Sequence, residues 1–135
     1  MANTGDVYRA LRARWEADST LDGIGGPYRD GEPPKGSPAF PYCVIKTLPA
    51  IRDTTTSTST IWQLPFSFNV FDRTCELCEA HLDKIQTAFA DWAETLADNK
   101  GSVLVTRDVS EHVTDEDGQV SRGTLTYRLL YRRPR

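Results

Sequence analysis

Apolar residues recur with helical spacing in two parts of the chain. In TGDVYRALRARWEAD, Val7, Leu11 and Trp15 lie four residues apart, with charged residues at most positions between them. We predict an amphipathic helix there and a second, longer helix that ends near DNKG at residues 98–101, because spacings of three and four place side chains on one helical face. The apolar positions of the second helix are Cys75, Cys78, Leu82, Ile85, Phe89, Trp92 and Leu96.

Alternation of apolar and polar residues predicts four strands. The clearest is IWQLPFSFNVF, residues 61–71, in which every even position from 62 to 70 is apolar. Pro65 has no amide hydrogen, so we expect it at a sheet edge or a bulge. Asp117-Gly118 is a strong turn signal between the last two strands. The other three of the four strands are predicted in YCVIKTL (42–48), VLVTRDV (103–109) and TLTYRLLYR (124–132).

Two segments between these elements are connections. Residues 22–41 are rich in Gly and Pro, and we interpret them as an ordered loop without regular structure. DTTTSTST, residues 53–60, contains seven Ser or Thr residues. It is either a mobile loop or an extension of the flanking strands into a hairpin arm, since Thr is compatible with strand geometry.

The order helix, strand, strand, helix, strand, strand predicts an α+β fold. We expect an antiparallel four-stranded sheet packed on one face by the long helix and the N-terminal helix. A chain of 135 residues is long enough for one core, so we predict a single domain over residues 1–135.

Composition and charge exclude some functions. The net charge of −3 provides no overall basic field for nucleic acid, although the C-terminal YRLLYRRPR is locally cationic. No apolar run approaches the ~20 residues that a membrane-spanning helix needs, and the amino terminus lacks a signal-peptide pattern. We therefore expect synthesis in the cytoplasm and no membrane partner. The odd count of three cysteines argues against a disulfide framework.

The motif Cys75-Glu-Leu-Cys78, with His81 three residues later, allows three interpretations. A dithiol at a helix start would be redox-active, but Glu76 and Glu79 oppose thiolate formation. A zinc site would need Cys43 as a fourth ligand, and positions 75 and 81 diverge around the helix axis. The remaining interpretation, which we favour, is that both cysteines are small apolar residues facing the sheet.

No other group of residues predicts catalysis. His81 and His112 are the only histidines, and neither lies in a catalytic pattern. The acidic run at residues 115–118 is either a cation site or a solvated hairpin tip, and the tip fits its turn signal better. We predict a protein that is not an enzyme, with no catalytic residue, no cofactor and no metal.

The order of these segments resembles a known family. An N-terminal VYRALRARWEAD helix precedes the passage YRDGEPPKGSPAFPYCVI into a strand, FSFNVFDRT leads into a long helix, and DEDGQVSRGTLTYRLLYR closes the chain as a hairpin. This set resembles the tail-terminator or tail-completion proteins of long-tailed bacteriophages and prophages. The resemblance implies a subunit of a ring, typically hexameric, that caps the head-proximal end of the tail tube, stops its polymerisation and joins the tail to the head.

The resemblance also implies the partners and the location of the protein. Its partners would be further copies of itself, the tail tube protein and the head connector, with DNA passing through the ring without sequence-specific binding. Its location would be the virion tail, assembled in the host cytoplasm. Two alternatives stay open: a thioredoxin-like thiol oxidoreductase using Cys75 and Cys78, and a related head-closure or neck adaptor.

Two polar segments are our candidates for assembly elements, on the basis of their polarity and position. The first is the Thr/Ser run, and the second is the acidic hairpin tip. Their residues are Thr54, Thr55, Thr56, Ser57 and Thr58, and Asp115, Glu116, Asp117 and Gly118.

Overall fold

The structure is a computed structural model that describes residues 4–29, 40–47, 51–55, 58–90, 92, 94–95, 102–115 and 120–134. The first half contains helix α1 (Thr4–Ala17), a 3₁₀ turn (Ser19–Leu21) and strands β1 (Gly25–Arg29), β2 (Tyr42–Thr47), β3 (Ile51–Thr55) and β4 (Ser59–Asp72). Helix α2 (Cys75–Ala88) and strands β5 (Glu94–Thr95), β6 (Ser102–Asp115) and β7 (Ser121–Pro134) follow.

The seven described strands form one mixed sheet. Neighbouring strands follow the order β1, β2, β4, β7, β6, β5, and β3 also pairs with β4. Strands β1 and β2 are parallel, and the other pairs are antiparallel. The predicted α+β class is therefore confirmed, and the four predicted strands are present as β2, β4, β6 and β7. The prediction of a wholly antiparallel four-stranded sheet is wrong.

Strand β1 lies within the Gly/Pro-rich segment that we interpreted as a loop, so that interpretation is wrong for Gly25–Arg29. The ladder to β2 shifts register between Gly25 and Tyr28. At this irregularity Gly26 has a φ of 103°, and a Cβ there would lie 2.7 Å from the Cys43 carbonyl oxygen. Glycine thus permits the close approach of β1 to β2 instead of ending the strand.

Strand β4 as a whole is interior, yet Pro65 itself has a described ladder partner on one side alone, as the predicted edge position requires. On one side β4 pairs with β7 over its whole length, and Pro65 faces Arg128 in that ladder. On the other side β3 pairs with β4 as far as Gln63, and β2 pairs from Phe66 onward. Pro65 lies between these two partners, where the described ladders on that side require no amide from it.

Two hairpins connect the strands. The Thr/Ser run continues β3 into β4, with Thr54 opposite Ile61 and Thr55 opposite Thr60, so the hairpin-arm alternative is the observed one for these residues. The predicted C-terminal hairpin is confirmed, since β6 and β7 pair as far as Asp115 and Ser121. The predicted turn at Asp117-Gly118 lies outside the described residues.

Both helices pack on the same face of the sheet, as predicted. The ring of Phe68 in β4 is the meeting point: its centroid lies 5.9 Å from Trp15 of α1, 5.1 Å from Phe89 and 6.0 Å from Tyr127 of β7. Full burial of one such side chain contributes about 2–3 kcal/mol. The predicted helical positions Val7, Leu11, Trp15, Cys78, Leu82, Ile85, Phe89 and Trp92 are all buried, whereas Cys75 is half-buried.

Helix α2 begins as predicted and ends earlier. The Thr74 hydroxyl accepts a hydrogen bond from the amide of Leu77 at 3.2 Å, which caps the amino end. The helix ends at Ala88, so the predicted end near residues 98–101 is wrong. Phe89 and Trp92 stay buried beyond the helix, with their rings 5.4 Å apart, which is why apolar spacing alone suggested a longer helix.

Candidate functional site

A polar cluster lies where β4 leads into α2. Asp72, the last residue of β4, is buried and accepts a hydrogen bond from the amide of Arg73 on one carboxylate oxygen. Its other oxygen lies 2.7 Å from His81 Nε2. The thiol of Cys75 donates to the Ser121 hydroxyl at 3.5 Å. These contacts join the end of β4, the start of α2 and the start of β7, so the cluster has a structural use.

The thiols beside this cluster have the wrong surroundings for redox chemistry. Cys78 is buried and donates through sulfur to the carbonyls of Ser121 and Val70, at 3.3 Å and 3.7 Å. Burial raises the pKa of the Cys78 thiol and also that of Cys43 in β2. A reactive dithiol needs a lowered thiol pKa, so this environment argues against the oxidoreductase alternative.

The residues of the possible zinc site do not converge. His81 contacts Asp72, and the described hydrogen bonds of Cys78 go to backbone carbonyls. Across the described residues, which include Cys43, Cys75, Cys78 and His81, no group of three or more His, Cys, Asp or Glu side chains could hold a metal ion. The geometry thus gives the zinc interpretation no support.

A second surface is the side of the sheet opposite α1 and α2, which we call the open face. Alternation along β7 buries its odd-numbered residues from 121 to 131 and leaves the even-numbered ones half-buried or exposed. No described helix covers this side. The ladders place on it Tyr42, Val44, Lys46, Ile51, Ile61, Gln63, Pro65, Ser67, Asn69, Phe71, Arg122, Thr124, Thr126, Arg128, Leu130 and Arg132.

One end of the open face is aromatic, and its centre is a polar network. Tyr42 stacks between Phe40 and Phe71, with ring centroids 5.8 Å and 5.0 Å away. Partial burial in this stack raises the pKa of the Tyr42 hydroxyl. In the centre, Thr124 donates a hydrogen bond to the Asn69 side chain at 3.0 Å. These side chains are held in place before any partner arrives.

The other end of the open face combines aliphatic residues with arginines. Ile51 is 59% exposed, which makes it the most exposed large hydrophobic residue among those described. It lies opposite Gln63, whose other neighbour is Leu130. Arg128 and Arg132 of β7 are exposed at this end. Arginine and aromatic residues are the types that protein–protein interfaces favour, so the open face is the candidate assembly surface.

The two predicted assembly elements lie at opposite ends of β4. Thr55 and Thr58 are exposed at the end of the β3–β4 hairpin, beside the start of β4. Asp115 lies opposite Ser121, which in turn pairs with the last residue of β4. The 14 residues of β4 separate these ends by about 40 Å, at ~3.3 Å a residue. Thr56, Ser57, Glu116, Asp117 and Gly118 lie outside the described residues.

The open face is what the sequence interpretation missed. A signal for it exists in YRLLYRRPR, because alternation places Tyr127, Leu129 and Tyr131 in the core and Arg128 and Arg132 on the opposite side. Only the register to β4 brings these arginines close to aliphatic residues from elsewhere in the chain.

Comparisons with known proteins place this chain in a family. A family model described as "Tail completion protein gp17" matches residues 7–132. Among solved structures, a chain of the "Virion of native gene transfer agent (GTA) particle" has a similar fold, with a TM-score of 0.63 and 17% sequence identity. That match covers 90% of this chain and 91% of the other. No curated protein matches the sequence.

Neither described helix is long and apolar enough to cross a membrane. The family match spans all the elements from α1 to β7, including both surfaces described above. The chain therefore belongs to the tail completion protein gp17 family, and it is a structural protein of the phage virion tail.

Proposed function

We propose that the protein assembles into a ring, with six subunits as the expected number, that caps the head-proximal end of the tail tube. The ring stops tube polymerisation and provides the surface to which the head connector binds. Family membership supports the tail assignment. The observation that carries self-assembly is the open face, where an exposed Ile51 lies among aromatic, aliphatic and arginine side chains. Association with other subunits removes such surface from water.

The protein acts without catalysis in this proposal. The candidate chemical groups are used in the fold: His81 contacts a buried carboxylate, and Cys78 donates to two carbonyls. The function then depends on which surfaces are presented and where. Because nothing in the geometry favours thiol chemistry, we propose no second activity.

The two ends of the sheet suit contacts with two different partners. Of the Thr/Ser run, Thr54 and Thr55 lie beside the first residues of β4, and Asp115, the first residue of the acidic run, lies beside its far end across β7. A subunit that lies between the tail tube and the connector needs contacts in two opposite directions. We propose that one hairpin contacts the tube and the other contacts the connector, while subunits contact each other through the sides of the sheet.

Electron microscopy of the purified full chain, alone and with tail tubes from particles that lack it, tests this function. We expect rings at one end of the tubes, and tubes of fixed length when the chain is present during polymerisation. Rings that bind connectors but ignore tube ends would favour a head-closure adaptor. Persistent monomers that leave tube ends bare would contradict the proposal.

Variants of the two hairpins test their separate roles. We expect replacement of residues 54–58 by a short Gly-Ser turn to remove one of the two contacts while rings still form. We expect the triple variant Asp115→Asn, Glu116→Gln, Asp117→Asn to remove the other contact. If both variants still bind tubes and connectors as the wild type does, neither hairpin is an assembly element.

A further inference from the structure

The outer side of α2 is acidic on balance, with three exposed carboxylates and one exposed lysine, Lys84. Glu76, Glu79 and Asp83 are exposed and spaced by three and four residues, so they are neighbours along the helix surface. Inside α2 no lysine or arginine lies three or four residues from any of them. None of the three forms an ion pair among the described residues. Like charges at these spacings destabilise a helix slightly, and only Glu76, in the first turn, benefits from the helix dipole.

The open face has the opposite charge. Lys46, Arg128 and Arg132 are exposed on it, and Arg122 is half-buried. The side chains described on this face include no carboxylate. A chain with a net charge of −3 therefore carries a basic surface on one side of its sheet and an acidic surface on the other.

These two surfaces lie back to back across the same strand. Helix α2 packs on β7, and the opposite side of β7 carries the three arginines of the open face. Two different, complementary surfaces on opposite sides of a subunit join copies head to tail. Such contacts generate a closed ring when the rotation between neighbours divides a full turn. A two-fold dimer would instead need one surface that complements itself.

We propose that the outer side of α2 of one subunit binds the open face of the next subunit around the ring. This inference rests on the proposed ring, and it identifies the surfaces that hold the ring together. Leu77 is 44% exposed on α2 and Ile51 is 59% exposed on the open face, and they are the only large hydrophobic residues described as exposed. The contact between neighbouring subunits, which we call the joint, has one such residue on each side, with charge pairs around them.

The composition of the open face favours a second copy over nucleic acid as its occupant. Ile51, Ile61 and Leu130 lie beside the arginines and would have no partner on a phosphate backbone. The exposed surface of α2 supplies both carboxylates and, on a neighbouring flank, the aliphatic Leu77. Another copy of this chain thus matches both the charge and the apolar surface of the open face.

Paired charge reversals test the joint. In the helix variant, Glu79→Arg and Asp83→Arg make both surfaces basic, and in the sheet variant, Arg128→Glu and Arg132→Glu make both acidic. Each variant alone should assemble at least tenfold more weakly than the wild type, because like charges meet at every joint. An equal mixture should restore rings of alternating subunits. Light-scattering mass and electron microscopy measure both effects.

Controls separate the joint from general effects of charge and folding. Asp22→Arg changes one exposed charge after the 3₁₀ turn, outside both surfaces, and should leave assembly unchanged. The helical content of the reversal variants should equal that of the wild type, because all four replaced side chains are exposed. A chain that carries all four substitutions exchanges the two charges and should again form rings by itself.

Three outcomes would overturn the inference while leaving the ring proposal intact. The first is reversal variants that assemble as the wild type does, and the second is a mixture that stays monomeric. The third is a sheet variant that keeps its rings but loses salt-sensitive binding of a DNA duplex, which would assign the open face to nucleic acid. Wild-type chains that never form rings, alone or on tail tubes, would overturn the ring proposal itself.

Discussion

At the scale of single residues, Tyr127 brings a polar atom into the core without a partner. Its hydroxyl is buried and has no hydrogen-bond partner among the described residues. We expect Tyr127→Phe to raise the free energy of unfolding at neutral pH by about 1 kcal/mol, because an unsatisfied buried polar group is removed. Urea unfolding of both proteins measures this. A decrease in the free energy of unfolding would show that the hydroxyl has a hydrogen-bond partner in the folded protein.

The same residue predicts a dependence on alkaline pH. Burial raises the pKa of Tyr127 from 10.0 to about 12. Between these values the unfolded chain releases a proton that the folded chain keeps, so stability is complete below pH 10 and falls as the pH rises toward 12. Unfolding curves across this interval should fall less steeply for Tyr127→Phe. Equal slopes for the two proteins would contradict the pKa shift.

The three thiols should differ in reactivity. Cys75 is half-buried, whereas Cys43 and Cys78 are buried with raised pKa values. We expect an aromatic disulfide reagent to modify one thiol per native chain quickly and the other two only on unfolding. Cys75→Ser should remove the fast reaction, and Cys43→Ser should keep it. Fast modification of two thiols would reopen the redox interpretation.

Which of these residue properties could be predicted depends on how local they are. The spacing of Cys78, Leu82 and Ile85 predicted their burial, because helix geometry alone relates them. The spacing did not predict that Asp72 contacts His81, since that contact depends on how the chain turns between β4 and α2. Thr74 caps the helix, and the carboxylate of Asp72 instead contacts His81.

At the scale of elements, the packing of α2 on β7 depends on Gly123. A Cβ at this position would lie 2.9 Å from Leu82 Cδ1 and 3.3 Å from Cys78 Cβ. We expect Gly123→Val to force the helix away from the strand and lower the free energy of unfolding by about 1–3 kcal/mol. Chemical unfolding with near-ultraviolet circular dichroism measures this, and Thr126→Val on the opposite side of β7 is a control for added strand propensity. A fully stable Gly123→Val protein would contradict the close packing.

Elements with strong periodicity were predictable, and elements defined by their neighbours were not. The alternation in β4 and the helical spacing in α1 are set by burial on one side of each element. Strand β1 has no such pattern, because Gly25, Gly26 and Pro27 fit there through backbone contact with β2. The end of α2 was misplaced since Phe89 and Trp92 stay apolar for the core after the helix has ended.

At the scale of the whole molecule, the sheet presents four distinct surfaces, two ends and two sides. Its two ends carry the hairpins that we propose as assembly elements, and its two sides carry surfaces of opposite charge. The order of elements was sufficient to suggest the family, and the family model matches the chain over residues 7–132, which include all of these elements in part or in full. The charge difference between the sides could not be predicted, because it requires knowing which side of β7 α2 covers.

Assembly through these sides predicts that thermal stability depends on protein concentration. Since association stabilises only the folded chain, each tenfold increase in concentration should add about 1.4 kcal/mol per joint formed. For a chain of 135 residues we expect the unfolding midpoint to rise by about 3–6 °C, at low salt. Calorimetry over a hundredfold concentration range measures this rise.

Added salt and a single substitution test whether charge pairs cause the rise of the unfolding midpoint with protein concentration. Half-molar salt screens the exposed charges of α2 and the open face, so the concentration dependence should shrink there. Arg132→Glu should nearly abolish it at low salt, whereas the midpoint at the lowest concentration should stay that of the wild type because this side chain is exposed. If the midpoint rises equally in Arg132→Glu and in the wild type, subunits associate through other surfaces. If it rises only at high salt, neighbouring subunits repel one another at low salt, and opposite charges do not face each other at the joint.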